Sequence, residues 1–185
     1  MRRILTGQIL LVVCCLFYLI WWYRGYRPGV TANRVDGTNG VLLLITAALG
    51  VAGLSFSLMR VPETTNPRIS PVGIVNVGIL SYFILLLITR YAFHRIVTTE
   101  LILIVGWTML EMTVINRLNA ACILSGRGFE IMCIVIAAAF LISMVLYVAY
   151  YRMEEMKAFY AAMVPLVTEA FSMVILAGML LAGSR

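Results

Sequence analysis

The groups able to do chemistry in this sequence lie inside its most apolar stretches. In "FYAAMVPLVTEAFSMVILAG", residues 159–178, Glu169 follows Pro165 by four positions. On a helix Pro165, Glu169 and Ser172 share one face, with Thr168 at its edge. Proline has no N–H to bond the Ala161 carbonyl, so a bend is expected there. A charged carboxylate at mid-span costs about 2.5–3.5 kcal/mol on insertion scales. Glu169 is therefore expected to face protein or enclosed water, as a site for a proton or a small cation. The alternative is a protonated Glu169 hydrogen-bonded to a neighbouring helix.

A second acid, Glu111, lies in "VGWTMLEMTVINRL", five residues before Asn116 and so about 7 Å from that boundary by helix rise. Glu100, Trp107 and Glu111 fall on one stripe, with Thr108 beside it. Asn76, early in the preceding apolar run, is expected at the depth of Glu111. Asn76, Glu111 and Glu169 would together line a polar half-channel. Interfacial positions for Glu111 and Asn76 are the competing expectation.

Aromatic and basic residues cluster at the other end of the chain's apolar runs, in "WWYRGYR", "RYAFHR" and "YVAYYRM". Trp21, Trp22, Arg24, Tyr91, Arg95, Tyr151 and Arg152 read as an interfacial belt, with rings at headgroup depth and arginines on phosphates. The sharper reading of these clusters is an aromatic cage for a quaternary amine or cationic headgroup.

Other chemistry is poorly served. A single histidine, His94, excludes bis-histidine haem ligation and multi-histidine metal hydrolases. Cys14, Cys15, Cys122 and Cys133 have no metal or redox spacing and read as buried thiols. The eleven methionines are scattered gap-fillers. No phosphate-cradling or dinucleotide glycine motif is present. No metal or cofactor is expected, and an enzyme is the less favoured reading; acids and arginines acting on lipid phosphates are the one enzymatic or lipid-headgroup-binding alternative.

The elements that must position these groups follow from composition. The chain is 63% hydrophobic and 12% charged, against about 25% charged in soluble domains, and its mean hydropathy is +1.01. Such a chain cannot cover a water-facing surface. Its fourteen Lys and Arg sit in short clusters between apolar runs, which marks loops and interfaces and not a nucleic-acid face. Runs long enough to cross about 30 Å of hydrocarbon are expected near 7–23, 40–59, 72–91, 97–118, 129–151 and 158–182. Backbone in lipid must satisfy its own hydrogen bonds, and alternating strand patterns are absent. The expected fold is all-α: a polytopic transmembrane bundle of about six helices with short loops, one integral membrane domain over 1–185. The first run, although preceded by "MRR", is expected to be retained as a membrane helix, because "WWYRGYRPGVTA" suits an interfacial anchor better than a cleavage region.

Thr46, Gly50, Gly53 and Ser57 form a small-residue stripe suited to close helix packing. Residues 81–115 and 139–173 overlay at an offset of 58, which aligns Tyr82 with Phe140, Phe93 with Tyr151, His94 with Arg152 and Glu111 with Glu169. A true internal repeat is the weaker reading of that likeness. Six crossings put seven basic residues on each side, so orientation rests on Arg2 and Arg3, which favour termini inside the plasma membrane of a prokaryote. Two functional readings stand: a transporter or channel for a small solute or cation using the intramembrane carboxylate, or a non-catalytic membrane subunit that packs with a partner protein or with itself. Beyond these the expected partner is the lipid bilayer.

Overall fold

The structure, a computed structural model, describes residues 2–28, 37–58, 67–93 and 98–182. Every regular element among them is helical: α1 Arg2–Tyr26, α2 Gly37–Leu58, α3 Pro71–Phe93, α4 Thr98–Ala120, α5 Gly126–Tyr150, α6 Glu155–Ala161 and α7 Val164–Ala182. Six helical stretches among the described residues are long and apolar enough to cross a membrane, α6 and α7 counting as one. The helices run a few residues past most of the expected apolar runs, because a helix does not stop where hydrophobicity does. Arg2 and Arg24 both lie within α1.

The last run, expected over 158–182 with a bend at Pro165, is one span made of two helices. It breaks at Ala162 and Met163, and Pro165 becomes the second residue of α7. That is where proline is tolerated, since the first N–H groups of a helix have no partner within it. The turn holds through Ala162 N–H to Ala158 O at 3.0 Å and Met163 N–H to Tyr160 O at 3.1 Å.

Helix packing is antiparallel and starts from small residues. A Cβ on Gly7 would lie 2.5 Å from Ser57 Oγ, and one on Gly53 would lie 2.7 Å from Leu11 Cγ. Cys14 Sγ donates to Thr46 O at 3.2 Å. The stripe on α2 is thus the seat of α1, as small residues let backbones approach. α7 packs between α1 and α5 and also touches α4, while α3 lies against α4.

One buried cluster, including Ile4, Leu118, Phe129, Ile136 and Leu180, closes the end that holds both chain ends. Another, of Leu101, Ile104, Val105 and Tyr147, closes the opposite end, and Tyr82 and Phe140 both pack on it. Apolar residues also crowd the exterior, with Leu44 71% and Ile134 69% exposed, while Ser143 and Ser172 are fully buried. That inversion of the soluble pattern is compatible with a membrane protein.

The turn after α4 is locked by side chains. Asn116 Nδ2 donates to Ile69 O at 2.6 Å and its Oδ1 accepts from Ile69 N–H at 3.1 Å, tying the entry to α3 onto α4. Cys122 has φ 56. Cys122 N–H to Asn119 O at 3.0 Å and Ile123 N–H to Leu118 O at 3.0 Å make a Schellman end to α4, with cysteine where glycine is usual. Ser125 Oγ then caps α5 by accepting from Gly128 N–H at 3.1 Å.

Candidate functional site

Two carboxyl groups meet in the middle of the bundle. Glu111 of α4 and Glu169 of α7 are each 4% exposed. Between them stands Ser172, one turn beyond Glu169. Its hydroxyl lies 2.5 Å from Glu111 Oε1 and 2.7 Å from the Glu169 backbone O. Ser172 is thus the donor shared between the Glu111 carboxyl and the Glu169 backbone carbonyl, in the manner of a three-centre bond.

This arrangement leaves the two acids unequal. Glu111 is held through one oxygen by Ser172, and only its Oε2 lacks a partner; neither oxygen of Glu169 has one. No ion pair among the described residues reaches either acid: the two present join Arg68 to Glu130 and Lys157 to Glu154, away from this site. A carboxyl pair without a countercharge can hold a proton or accept a cation at little structural cost, because the burial has already been met by the fold.

Glu169 lines a chamber of about 340 Å³ between α1, α2, α4 and α7. Cys14, Cys15, Gly50, Leu103, Trp107 and Leu166 are among its walls. A smaller cavity of about 80 Å³ lies toward the α6 end, walled by Trp22, Tyr147, Tyr150 and Tyr151 and by the break itself at Ala161–Met163. Tyr18, Leu103, Ile104, Pro165 and Leu166 border both cavities, so they adjoin at the proline. The Nε1 group of Trp22, on the smaller cavity, is a buried donor without an acceptor among the described residues.

Of the residues singled out in the sequence, Glu169 and Pro165 face the chamber, and Ser172 joins Glu169 to Glu111. Thr168 turns toward α5 instead: its Oγ1 donates to Pro165 O at 2.8 Å and lies 3.3 Å from Ser143 Oγ. Asn76 does not join the acids. It is exposed on α3 and lies two residues from both Ile74 and Gly78, the buried positions that face α4. Two residues of helix turn the side chain through about 200°, so it points outward. Of the three residues expected to line a half-channel, the structure brings Glu111 and Glu169 together through Ser172 and leaves Asn76 apart. The Glu111 carboxyl is buried against α7.

The belt divides likewise. Arg24, Tyr91 and Arg152 are exposed, and Trp21, Trp22 and Tyr151 are half-buried. Trp22 stacks on Tyr26 with centroids 4.5 Å apart. Tyr147 turns inward, accepting from the Tyr151 hydroxyl at 3.3 Å. Arg95 and His94 lie outside the described residues, and the Glu100 side chain is not among those described.

Several wall residues escaped the sequence reading. Cys15, 2% exposed, looked like an ordinary core thiol. Trp107 stood out on the stripe with Glu100 and Glu111, but not as part of a cavity wall. No known protein family, curated protein or solved structure matches the chain.

Proposed function

We propose that this chain is an integral membrane protein that carries a small cation across the bilayer, with Glu169 as the binding carboxylate. The observation that carries this reading is the buried Glu169 carboxyl, without a hydrogen-bond partner or countercharge among the described residues, behind the wall of a chamber that the residue lines. Glu111 and Ser172 hold the neighbouring proton site. The broken helix at Pro165 supplies the movable element, since irregular backbone within a membrane is tolerated where it lines a cavity. Tucked inside the bundle, both acids are poorly placed to serve as contacts for a partner subunit.

Reconstituted in liposomes, the wild-type protein is expected to support saturable cation or proton flux down an imposed gradient. Glu169→Gln should reduce it to the rate of empty vesicles while leaving the helical circular-dichroism spectrum unchanged. Flux equal to wild type in that variant would remove the reading.

One observation favours self-association as an additional property. Asn76 is an exposed amide among exposed Val75, Val77 and Leu80 on the outer face of α3. A polar side chain facing lipid gains by hydrogen bonding to a neighbouring helix, by about 0.6–2 kcal/mol. Native mass spectrometry from mild detergent should show a dimer or higher oligomer that Asn76→Leu weakens; identical monomer spectra for both would count against it.

A further inference from the structure

The chamber walls restrict what the cation can be. Among the described residues no three His, Cys, Asp or Glu side chains group to hold a metal. Glu169 is the one carboxylate on the wall, and the rest of the lining is aliphatic, aromatic or thiol except for Thr46. Thr46 Oγ1 is already given to Leu42 O at 2.8 Å. A hard inorganic ion needs about six oxygens to replace its water, and the side chains lining this chamber carry fewer, on Glu169, Tyr18 and Thr46. A cation whose own body is apolar needs only the one carboxylate, because its remaining surface prefers these walls to water.

The route in has the same character. Val51, Leu54 and Leu103 stand on the chamber's rim and are exposed, on α2 and α4. The opening therefore looks sideways, where an apolar solute dissolved in lipid would meet it. At the α6 end the adjoining cavity presents Trp22, Tyr147, Tyr150 and Tyr151, ring systems of the kind whose faces attract ammonium groups.

We infer that the chamber takes an organic cation with an apolar body, a protonated amine or quaternary ammonium, which enters laterally between α2 and α4 and places its charge on Glu169. The inference rests on the cation-binding reading above and names its substrate class. A volume of about 340 Å³ accommodates on the order of ten non-hydrogen atoms, taking about 30 Å³ for each water-sized unit. That suits a single ring bearing an ammonium group.

Benzyltrimethylammonium titrated calorimetrically into the protein in dodecyl maltoside micelles tests this. Wild type should bind it saturably, and Glu169→Gln should weaken binding at least tenfold. Ala47→Trp, at an exposed position on the chamber wall, should also weaken it at least tenfold with both acids intact, which covers the case of a Gln variant that fails to fold. Phosphatidylcholine doped into the micelles separates the two sources of such a group: displacement assigns a lipid headgroup, no displacement a free cation, and either supports the inference. Absence of saturable binding by wild type, or unchanged affinity in both variants, overturns it. Glu169-dependent flux without benzyltrimethylammonium binding would overturn the inference and keep the transport reading. Binding without flux would do the reverse.

Discussion

Ser172 is the residue on which the acid pair depends. It is fully buried, and its hydroxyl is the only hydrogen-bond partner of Glu111 Oε1 among the described residues. Ser172→Ala keeps the helix and the volume but strands a buried carboxyl oxygen. Losing one partner of a buried hydrogen bond costs about 1–3 kcal/mol, which a detergent unfolding titration would read as a lower midpoint. Ser172→Thr keeps the hydroxyl and should recover most of the loss. A Ser172→Ala protein as stable as wild type would mean that the Glu111 carboxyl finds another partner. At this scale the sequence was informative about residue type but not about direction. Glu169 and Pro165 stood out because acid and imino acid are costly in lipid. Thr168 and Asn76 did not follow them, because one and two residues of helical rotation separate a wall from a neighbouring helix or the outer surface.

The helices are legible as elements because length and apolarity fix them; their neighbours are not. Six runs of spanning length were visible in the sequence, and the small-residue stripe on α2 announced a close contact. Its partner, the Gly7, Leu11 and Cys14 face of α1, became evident only in the fold. Gly7→Ala is expected to force α1 from α2, since the new Cβ would meet Ser57 Oγ at 2.5 Å and the Ser57 backbone N at 2.7 Å. Backbone cannot yield as a flexible side chain can, so a destabilisation of about 1–3 kcal/mol follows. Gly178 has nothing within 4 Å of its Cβ position. Gly178→Ala should therefore change stability by no more than about 1 kcal/mol, in the favourable direction that helix propensity gives alanine. Equal midpoints for the two variants would show that the α1–α2 contact is looser than drawn. The break before α7 was anticipated as a bend from Pro165. That the bend would border two cavities depended on α1 and α4, whose positions no local pattern encodes.

The whole molecule brings the start of α1 and the end of α7 to one buried cluster, which Ile4 and Leu180 share. It also brings together Glu111 and Glu169, the acids 58 residues apart that the hairpin overlay paired, and it packs Tyr82 and Phe140 on a common cluster. Six crossings would divide the fourteen basic residues evenly between the two sides, so charge alone gives no expected orientation. Arg2 and Arg3, the first residues of α1, set the expectation of termini inside, as the first helix usually dominates. Cys122 can report the outcome: it is the one exposed cysteine of the four and lies in the turn at the end that holds the termini. In a Cys14→Ala, Cys15→Ala, Cys133→Ala background, a membrane-impermeant maleimide should label inside-out bacterial vesicles and spare intact cells. The reverse pattern would place the termini outside. Equal labelling from both sides would mean that the even division of charge inserts the chain both ways, so that the α2–α4 opening meets the bilayer in two opposite orientations.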